Sequence, residues 1–311
     1  MRMFLACAAA AGALLLSGCK STVERVGMVF LYKRAAWPET QVRYDIPYAG
    51  GSASREQRLD LFLPQGRDWP VFIFVHGGGW TEGDKGLRVG GADVYGNIGR
   101  FFAAHGIGAA VIDYRLQPGV TWREQVDDVA RATAWVQQNV NEWGGDARRI
   151  FIGGHSAGAQ LAARVALDGR ALGKYGLSPQ ILSGVILVSG AGLDLADKET
   201  YVLGASPAYY EQRFGVGAAA WQEASPATYA RAGAPPFLLL YAGGETKALQ
   251  RQSQRMSEVL STNGIGNKLV VVPGQSHARI VLTLSREDKT AGPAMLEFMQ
   301  ARGKTGGGPG F

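Results

Sequence analysis

The chain has 311 residues, of which 46% are hydrophobic and 19% charged, with a formal net charge of +6. This composition suits one large α/β domain or two smaller ones with a sizeable core, and excludes a disordered chain. The basic residues are spread out, with no block of five like charges, so the positive balance can favour an anionic surface but is not a nucleic-acid footprint.

In chain order, the first stretch is a targeting segment. Arg2 supplies a positive start, and an apolar run from Phe4 to Leu16 follows. A run of about thirteen residues is too short to span a bilayer core of about 30 Å. Leu16-Ser17-Gly18-Cys19 resembles the lipobox of bacterial lipoproteins. That resemblance implies removal of residues 1–18 and a lipidated Cys19, with residues 19–40 as a tether. Lys20 follows the cysteine where Asp would direct retention in the inner membrane. The resemblance therefore implies a protein of the bacterial cell envelope, held by lipid at the outer membrane and facing the periplasm. The other cysteine, Cys7, lies within residues 1–18, so both cysteines fall in the first nineteen residues. The body of the protein thus has no structural disulfide, no cysteine metal site and no thiol nucleophile. Val26, Met28, Val29, Phe30, Leu31 and Tyr32 could form a short helix that packs on the domain or touches lipid.

From residue 41 strands alternate with helices. Residues 42–47 and 57–63 read as an antiparallel pair joined through Gly50-Gly51-Ser52. Residues 70–75 form a continuous apolar strand, a helix follows over 94–105, and 108–113 is the next strand. Thr121 opens a helix with Glu124 as the partner of a capping box. Val126, Val129, Thr133, Val136 and Val140 recur at spacings of three and four, one helical face. Residues 149–152 are a short buried strand, and 159–167 are good helix formers. Strands over 184–188, 236–241 and 268–272 follow. Leu249, Ser253, Met256 and Leu260 mark a helix between the last two, and Pro293 could start a final helix to about residue 301. Residues 302–311 form a Gly-rich, disordered tail. This alternation predicts a doubly wound, mostly parallel sheet in one domain over 41–301. Residues 191–234 lack a strand and carry Tyr201, Tyr209, Tyr210, Phe214, Trp221 and Tyr229, as expected of a small cap inserted over a site.

Between the 149–152 strand and the helix after it lies Gly154-His155-Ser156-Ala157-Gly158. The two glycines let strand and helix pass closely while Ser156 takes a strained conformation at the turn. The helix N-terminus, with the Ala157 N–H, is then aimed at any negative charge formed beside the Ser156 hydroxyl. With its strand and helix, this G-x-S-x-G resembles the nucleophile turn of the α/β-hydrolases, and within them the esterases with a His-Gly-Gly-Gly loop. Asp113-Tyr114-Arg115-Leu116, Asp128, Ala132, Trp135, Gly144-Gly145-Asp146 and Ser225-Pro226 extend the likeness over about residues 41–301. It implies an eight-stranded, mostly parallel α/β-hydrolase sheet whose first strands are antiparallel. Asp128, Trp135 and the Ser-Pro pair read as structural.

A serine nucleophile needs a base, a group that orients the base, and donors for the oxyanion. Of four histidines, His76 belongs to the Gly loop, His105 to a helix end, and His155 precedes the nucleophile with its side chain expected to point away. That leaves His277, in the loop after the last apolar strand, where hydrolases of this fold place their base. Glu245 follows the 236–241 strand and is the candidate orienting acid. Ser156, Glu245, His277 is the order of the family, although many relatives use Asp where this chain has Glu. Asp194 and Asp197 are the alternatives, but they follow the earlier strand that precedes the cap. Val75-His76-Gly77-Gly78-Gly79-Trp80 follows a buried strand, and its glycines let backbone N–H groups crowd a carbonyl. By resemblance, Gly78 and Gly79 donate together with Ala157, while His76 fixes the loop.

These residues predict a serine carboxylesterase that acts on a small-molecule ester with no metal or cofactor. Gly243-Gly244-Glu245-Thr246 followed by Arg251-Gln252-Ser253 also resembles the arylformamidase branch. That branch carries Gly-Gly-Tyr-Trp where this chain has Gly78-Gly79-Trp80. An amide hydrolase with the same machinery is the alternative reading, and a non-enzymatic binding protein on this fold is a third.

Overall fold

The computed structural model describes residues 32–50, 54–89, 91–286 and 291–303. The signal stretch, Cys19, the tether before residue 32, Gly51 and Ser52 of the first connection, and the tail from residue 304 lie outside the described residues. Ten strands are described: β1 Val42–Pro47, β2 Arg58–Phe62, β3 Trp69–Val75, β4 Arg88–Val89, β5 Ala92–Asp93, β6 Gly108–Ile112, β7 Gly145–His155, β8 Leu182–Val188, β9 Phe237–Ala242 and β10 Asn267–Val272. β4 and β5 pair only with each other. The other eight form one sheet in the order β1-β2-β6-β3-β7-β8-β9-β10. β1 and β2 are antiparallel, β2 is antiparallel to β6, and every later pairing is parallel.

Strand alternation divides the apolar residues between two cores. Val71, Ile73 and Val75 of β3 face one layer, and Phe72 and Phe74 the other. Ile150 and Ile152 against Phe151 in β7, and Val185 and Leu187 against Ile186 in β8, repeat the division. The strands therefore read as unbroken apolar runs. Each such side chain stabilises the fold by about 1.5–3 kcal/mol when fully buried.

Helices α1 Val94–Ala104, α2 Trp122–Asn139, α3 Ala157–Leu167 and α4 Gly169–Gly173 precede the cap. Three short ones lie in it: α5 Lys198–Val202, α6 Pro207–Phe214 and α7 Ala218–Ala224. α8 Lys247–Thr262, α9 Arg279–Leu282 and α10 Ala291–Gly303 follow. α2, α3 and α8 cover one core, and α1, α9 and α10 the other. Thr121 and Glu124 form the expected capping box on α2.

Several boundaries differ from the sequence reading. β7 is much longer than 149–152, because Gly145 pairs with Trp69 at one end and Gly153 and Gly154 continue the ladder at the other. α10 starts two residues before Pro293, which a first helical turn tolerates because its N–H groups have no intrahelical acceptor. The same helix runs to Gly303, into the stretch read as tail. The possible short helix over residues 26–32 lies outside the described residues except for Tyr32. Residues 32–38 have no regular secondary structure and dock on α1, where Tyr32 donates to the Asp93 carbonyl and Asn97 pairs with both Ala35 and Lys33 main chain.

Between β7 and α3 the backbones approach too closely for any side chain. A Cβ on Gly158 would lie 2.2 Å from the Val75 carbonyl oxygen and 2.3 Å from that of His76. One on Gly154 would lie 2.5 Å from the Gly158 carbonyl carbon. Gly158→Ala should therefore push α3 off β3 and cost at least about 1–3 kcal/mol, as overpacking does elsewhere. Chemical denaturation measures this, and an unchanged midpoint would show that α3 can shift freely.

Candidate active site

Ser156 sits where β7 turns into α3, with φ 55° and ψ −118°. A non-glycine residue held there costs about 1–3 kcal/mol unless its surroundings impose it. Here they do: Ser156 N–H donates to the Val188 carbonyl of β8 at 3.0 Å, and the Ser156 carbonyl accepts from Ala191 at 3.2 Å.

The sheet order brings the later loops beside this turn. β9 and β10 end at the same edge as β7, so the residues after them face Ser156. Glu245 N–H bonds the last residue of β9, and Gly244 N–H donates to Gln275 in the loop after β10. His277 Nε2 lies 2.9 Å from Ser156 Oγ, and its Nδ1 lies 2.9 Å from Glu245 Oε2. A carboxylate can only accept, so Nδ1 carries the proton and Nε2 presents its lone pair to the serine hydroxyl. The Glu245 side chain is fully buried. Asp194 and Asp197 sit elsewhere, paired with Arg255 and Arg251 of α8 at 3.0 and 2.8 Å.

The glycine loop is fixed one peptide plane at a time. Tyr114, stacked on the His76 ring, donates to the His76 carbonyl at 3.1 Å. His76 Nδ1–H donates to the Gly77 carbonyl at 2.6 Å, which turns the Gly78 N–H the opposite way. Thr81 and Glu82 N–H groups donate to the Gly78 carbonyl at 3.2 and 3.0 Å and do the same for Gly79. Arg213, from α6 in the cap, donates to the Gly79 carbonyl at 2.9 Å. Gly78 has φ 127°, and a Cβ there would lie 1.9 Å from the Glu82 carbonyl oxygen. Burial lowers His76 to about 4, so its ring is a neutral strut at neutral pH.

Sequence reasoning missed several supports. The cap is stapled to the core by Trp80, which packs on Phe214 at 4.8 Å and donates to Gln160 at 3.1 Å. Gln160 donates onward to Ala224, and Gln252 accepts from the Leu193 N–H. Ser225 accepts from the Leu195 N–H at 2.8 Å, and Asp128 binds Arg115 and Gln57, both structural roles as expected. His105 caps α1 through the Phe101 carbonyl. The His155 ring reaches the main chain of His277.

Behind the glycine loop lies a partly buried charge cluster, with Asp45 at its exposed edge. Lys85 Nζ is 2.8 Å from Asp45, 3.4 Å from Asp60 and 3.7 Å from Asp113. Burial pushes the Asp113 carboxyl up to about 7, against the pull of the Lys85 charge.

A family model described as the alpha/beta hydrolase fold matches residues 72–281. Esterase LipQ of Mycobacterium tuberculosis is 30% identical over 268 residues, 82% of this chain and 61% of that protein. Carboxylesterase NlhH of the same organism is 38% identical over 117 residues, 36% of this chain and 34% of that protein. This chain thus spans about three fifths of LipQ and a third of NlhH. Esterase B of Lactobacillus rhamnosis has a solved structure that superposes with a TM-score of 0.71 at 23% identity, covering 91% of each chain. That likeness shows the fold.

The Asp113 cluster makes stability depend on pH. The folded state holds this proton more tightly than the unfolded chain, whose ordinary value is 3.8. Its contribution is therefore full below about 4 and lost as pH rises through about 7. Asp113→Asn keeps an acceptor for the Lys85 N–H and carries no charge. Between pH 4 and pH 7 the variant's Tm should gain steadily on the parent's in thermal scans, and parallel curves would place the titration elsewhere.

Proposed function

Because this chain belongs to the alpha/beta hydrolase fold family, we propose that it is a serine carboxylesterase with Ser156 as nucleophile, His277 as base and Glu245 as orienting acid. One observation carries the reading: the two ring nitrogens of His277 each lie 2.9 Å from their partners, the hydroxyl on one side and the buried carboxylate on the other. His277 takes the hydroxyl proton as Ser156 Oγ attacks the ester carbonyl. The Gly78, Gly79 and Ala157 N–H groups receive the oxyanion. Collapse of the tetrahedral species expels the alcohol, which takes the proton from His277, and leaves an acyl group on Ser156. Water then attacks with His277 again as base, and collapse releases the carboxylic acid while Ser156 Oγ takes the proton back from His277. Glu245 accepts the Nδ1–H throughout and stabilises the imidazolium. This chemistry needs no metal or cofactor.

The glycine loop favours an ester over a formamide of the arylformamidase kind. That branch has Tyr where this chain has Gly79. Here Gly79 has φ 59°, and a Cβ on it would lie 2.5 Å from the Tyr209 hydroxyl of the cap. The cap fills the space that a loop tyrosine would need.

The N-terminal lipoprotein signal is part of the proposal: an enzyme held by lipid on Cys19 in the cell envelope, at the outer membrane and facing the periplasm. No helix among the described residues is long and apolar enough to cross a membrane.

With p-nitrophenyl acetate as substrate, Ser156→Ala should lose about 10⁴-fold or more, since removing one member of a coupled triad removes its function. Glu245→Gln should keep the geometry but favour the wrong tautomer, with a loss of up to about 10⁴-fold. Retention of more than a few per cent of activity by Ser156→Ala would sink the reading. A formanilide turned over faster than matched esters would move the protein to the amide-hydrolase class. In cells, Cys19→Ala should shift the protein from the membrane to the soluble fraction, and unchanged fractionation would remove the lipid anchor.

A further inference from the structure

The proposed mechanism uses the ring of His277 but leaves the ring of His155 unexplained. His155 is the last residue of β7 and is buried. Its Nε2 lies 2.9 Å from the His277 carbonyl oxygen, and its Nδ1 lies 3.0 Å from the Tyr95 hydroxyl. A carbonyl only accepts, so Nε2 carries the proton and Nδ1 has a lone pair. Tyr95 must then donate to Nδ1, and its oxygen accepts from Gly77 N–H at 3.2 Å. Every bond runs one way: Gly77 N–H to Tyr95, Tyr95 to His155, and His155 to the His277 main chain. The chain starts in the glycine loop and ends on the residue read as the base.

We propose that His155 is a positioning residue for the base. Through Nε2–H it holds the main chain of His277, and through Tyr95 it ties that residue to the glycine loop, so base and oxyanion donors are located by one hydrogen-bonded chain. This rests on the reading of His277 as base.

The location explains the need. β10, which delivers His277, is the edge strand, and Leu269 and Val271 on it are exposed. A loop leaving such a strand has a neighbour on one side only. The His155 ring packs against the His277 ring at 4.7 Å between centroids and gives the loop a further hold from the sheet side, where β7 lies. At that distance a charge on His155 would oppose the imidazolium that the mechanism forms on His277. Burial, with His277 alongside, holds His155 well below its ordinary range and keeps it neutral. Burial also pushes the Tyr95 hydroxyl up, so it stays a donor.

His155→Phe, His155→Gln and Tyr95→Phe in the full chain test this, with kcat expressed per serine titrated by a phosphonate ester. That normalisation removes any loss of folded protein, which is all a purely structural role would move. His155→Phe should lower kcat per site by about 10–100-fold with KM within about 3-fold, the size expected of a misplaced catalytic group. His155→Gln, whose amide N–H can reach the same carbonyl, should recover to within about 5-fold of the parent. Tyr95→Phe should lose about 3–10-fold, by freeing Nδ1 and the Gly77 N–H. Parent-like kcat per site in His155→Phe and Tyr95→Phe would overturn the proposal. If His155→Phe does not fold, Tyr95→Phe decides alone. Failure of the serine-esterase reading looks different: no phosphonate is incorporated, or Ser156→Ala stays active.

Discussion

The contact between α3 and the end of β3 is the constraint on which the rest of the structure depends. Gly158 lies so close to the Val75 and His76 carbonyls that no side chain fits between them. That approach forces a sharp turn out of β7, and the turn holds Ser156 at φ 55°. A serine here is strained by about 1–3 kcal/mol. The large buried sheet around it over-determines the turn, because β3, β7 and β8 have all fixed their register before Ser156 is reached. The same approach lays the glycine loop after β3 against the N-terminus of α3. The proposed nucleophile and oxyanion donors therefore share one origin in packing.

The glycine loop is rigid although its glycines are permissive. Its carbonyls are bound in turn by Tyr114, by the His76 ring, by the Thr81 and Glu82 N–H groups and by Arg213. Binding a carbonyl fixes the N–H on the far side of the same peptide plane. Donors held this way need no reorganisation when charge develops, which is the condition for strong electrostatic stabilisation. Glycine supplies the close approach, and the surrounding side chains remove the freedom that glycine brings.

Much of this was legible in the sequence, and the exceptions have physical causes. β3, β6 and β8 read correctly because strands buried on both faces are unbroken apolar runs. The loops carrying Glu245 and His277 were visible because each follows such a run. Asp194 also follows one, but it comes before the cap, and in the structure it pairs with Arg255 while Glu245 meets His277. His155 was placed in the turn, but its role was hidden. Its partners, Tyr95 and His277, are 60 and 122 residues away, and local pattern carries no such information. Gln160 reads as an ordinary helix residue and Gln252 as part of the arylformamidase-like stretch, and their bonding is hidden because the backbone groups they satisfy belong to the cap.

The cap is bound to the oxyanion loop as well as covering it. Arg213 bonds the Gly79 carbonyl while its guanidinium stacks on Tyr209 at 3.6 Å, and Tyr209 closes the space above Gly79. Trp80, the next residue in the loop, packs its ring on Phe214 of the same helix. A change in the cap will therefore also move the peptide planes beside the proposed oxyanion donors. On the proposed function, substrate choice and rate are mechanically joined in this arrangement. The proposed base, His277, is joined separately, since its main chain is held from β7 and α1 rather than from the cap. Remodelling the cap can thus disturb the oxyanion donors while the pairing of Ser156, His277 and Glu245 stays in place.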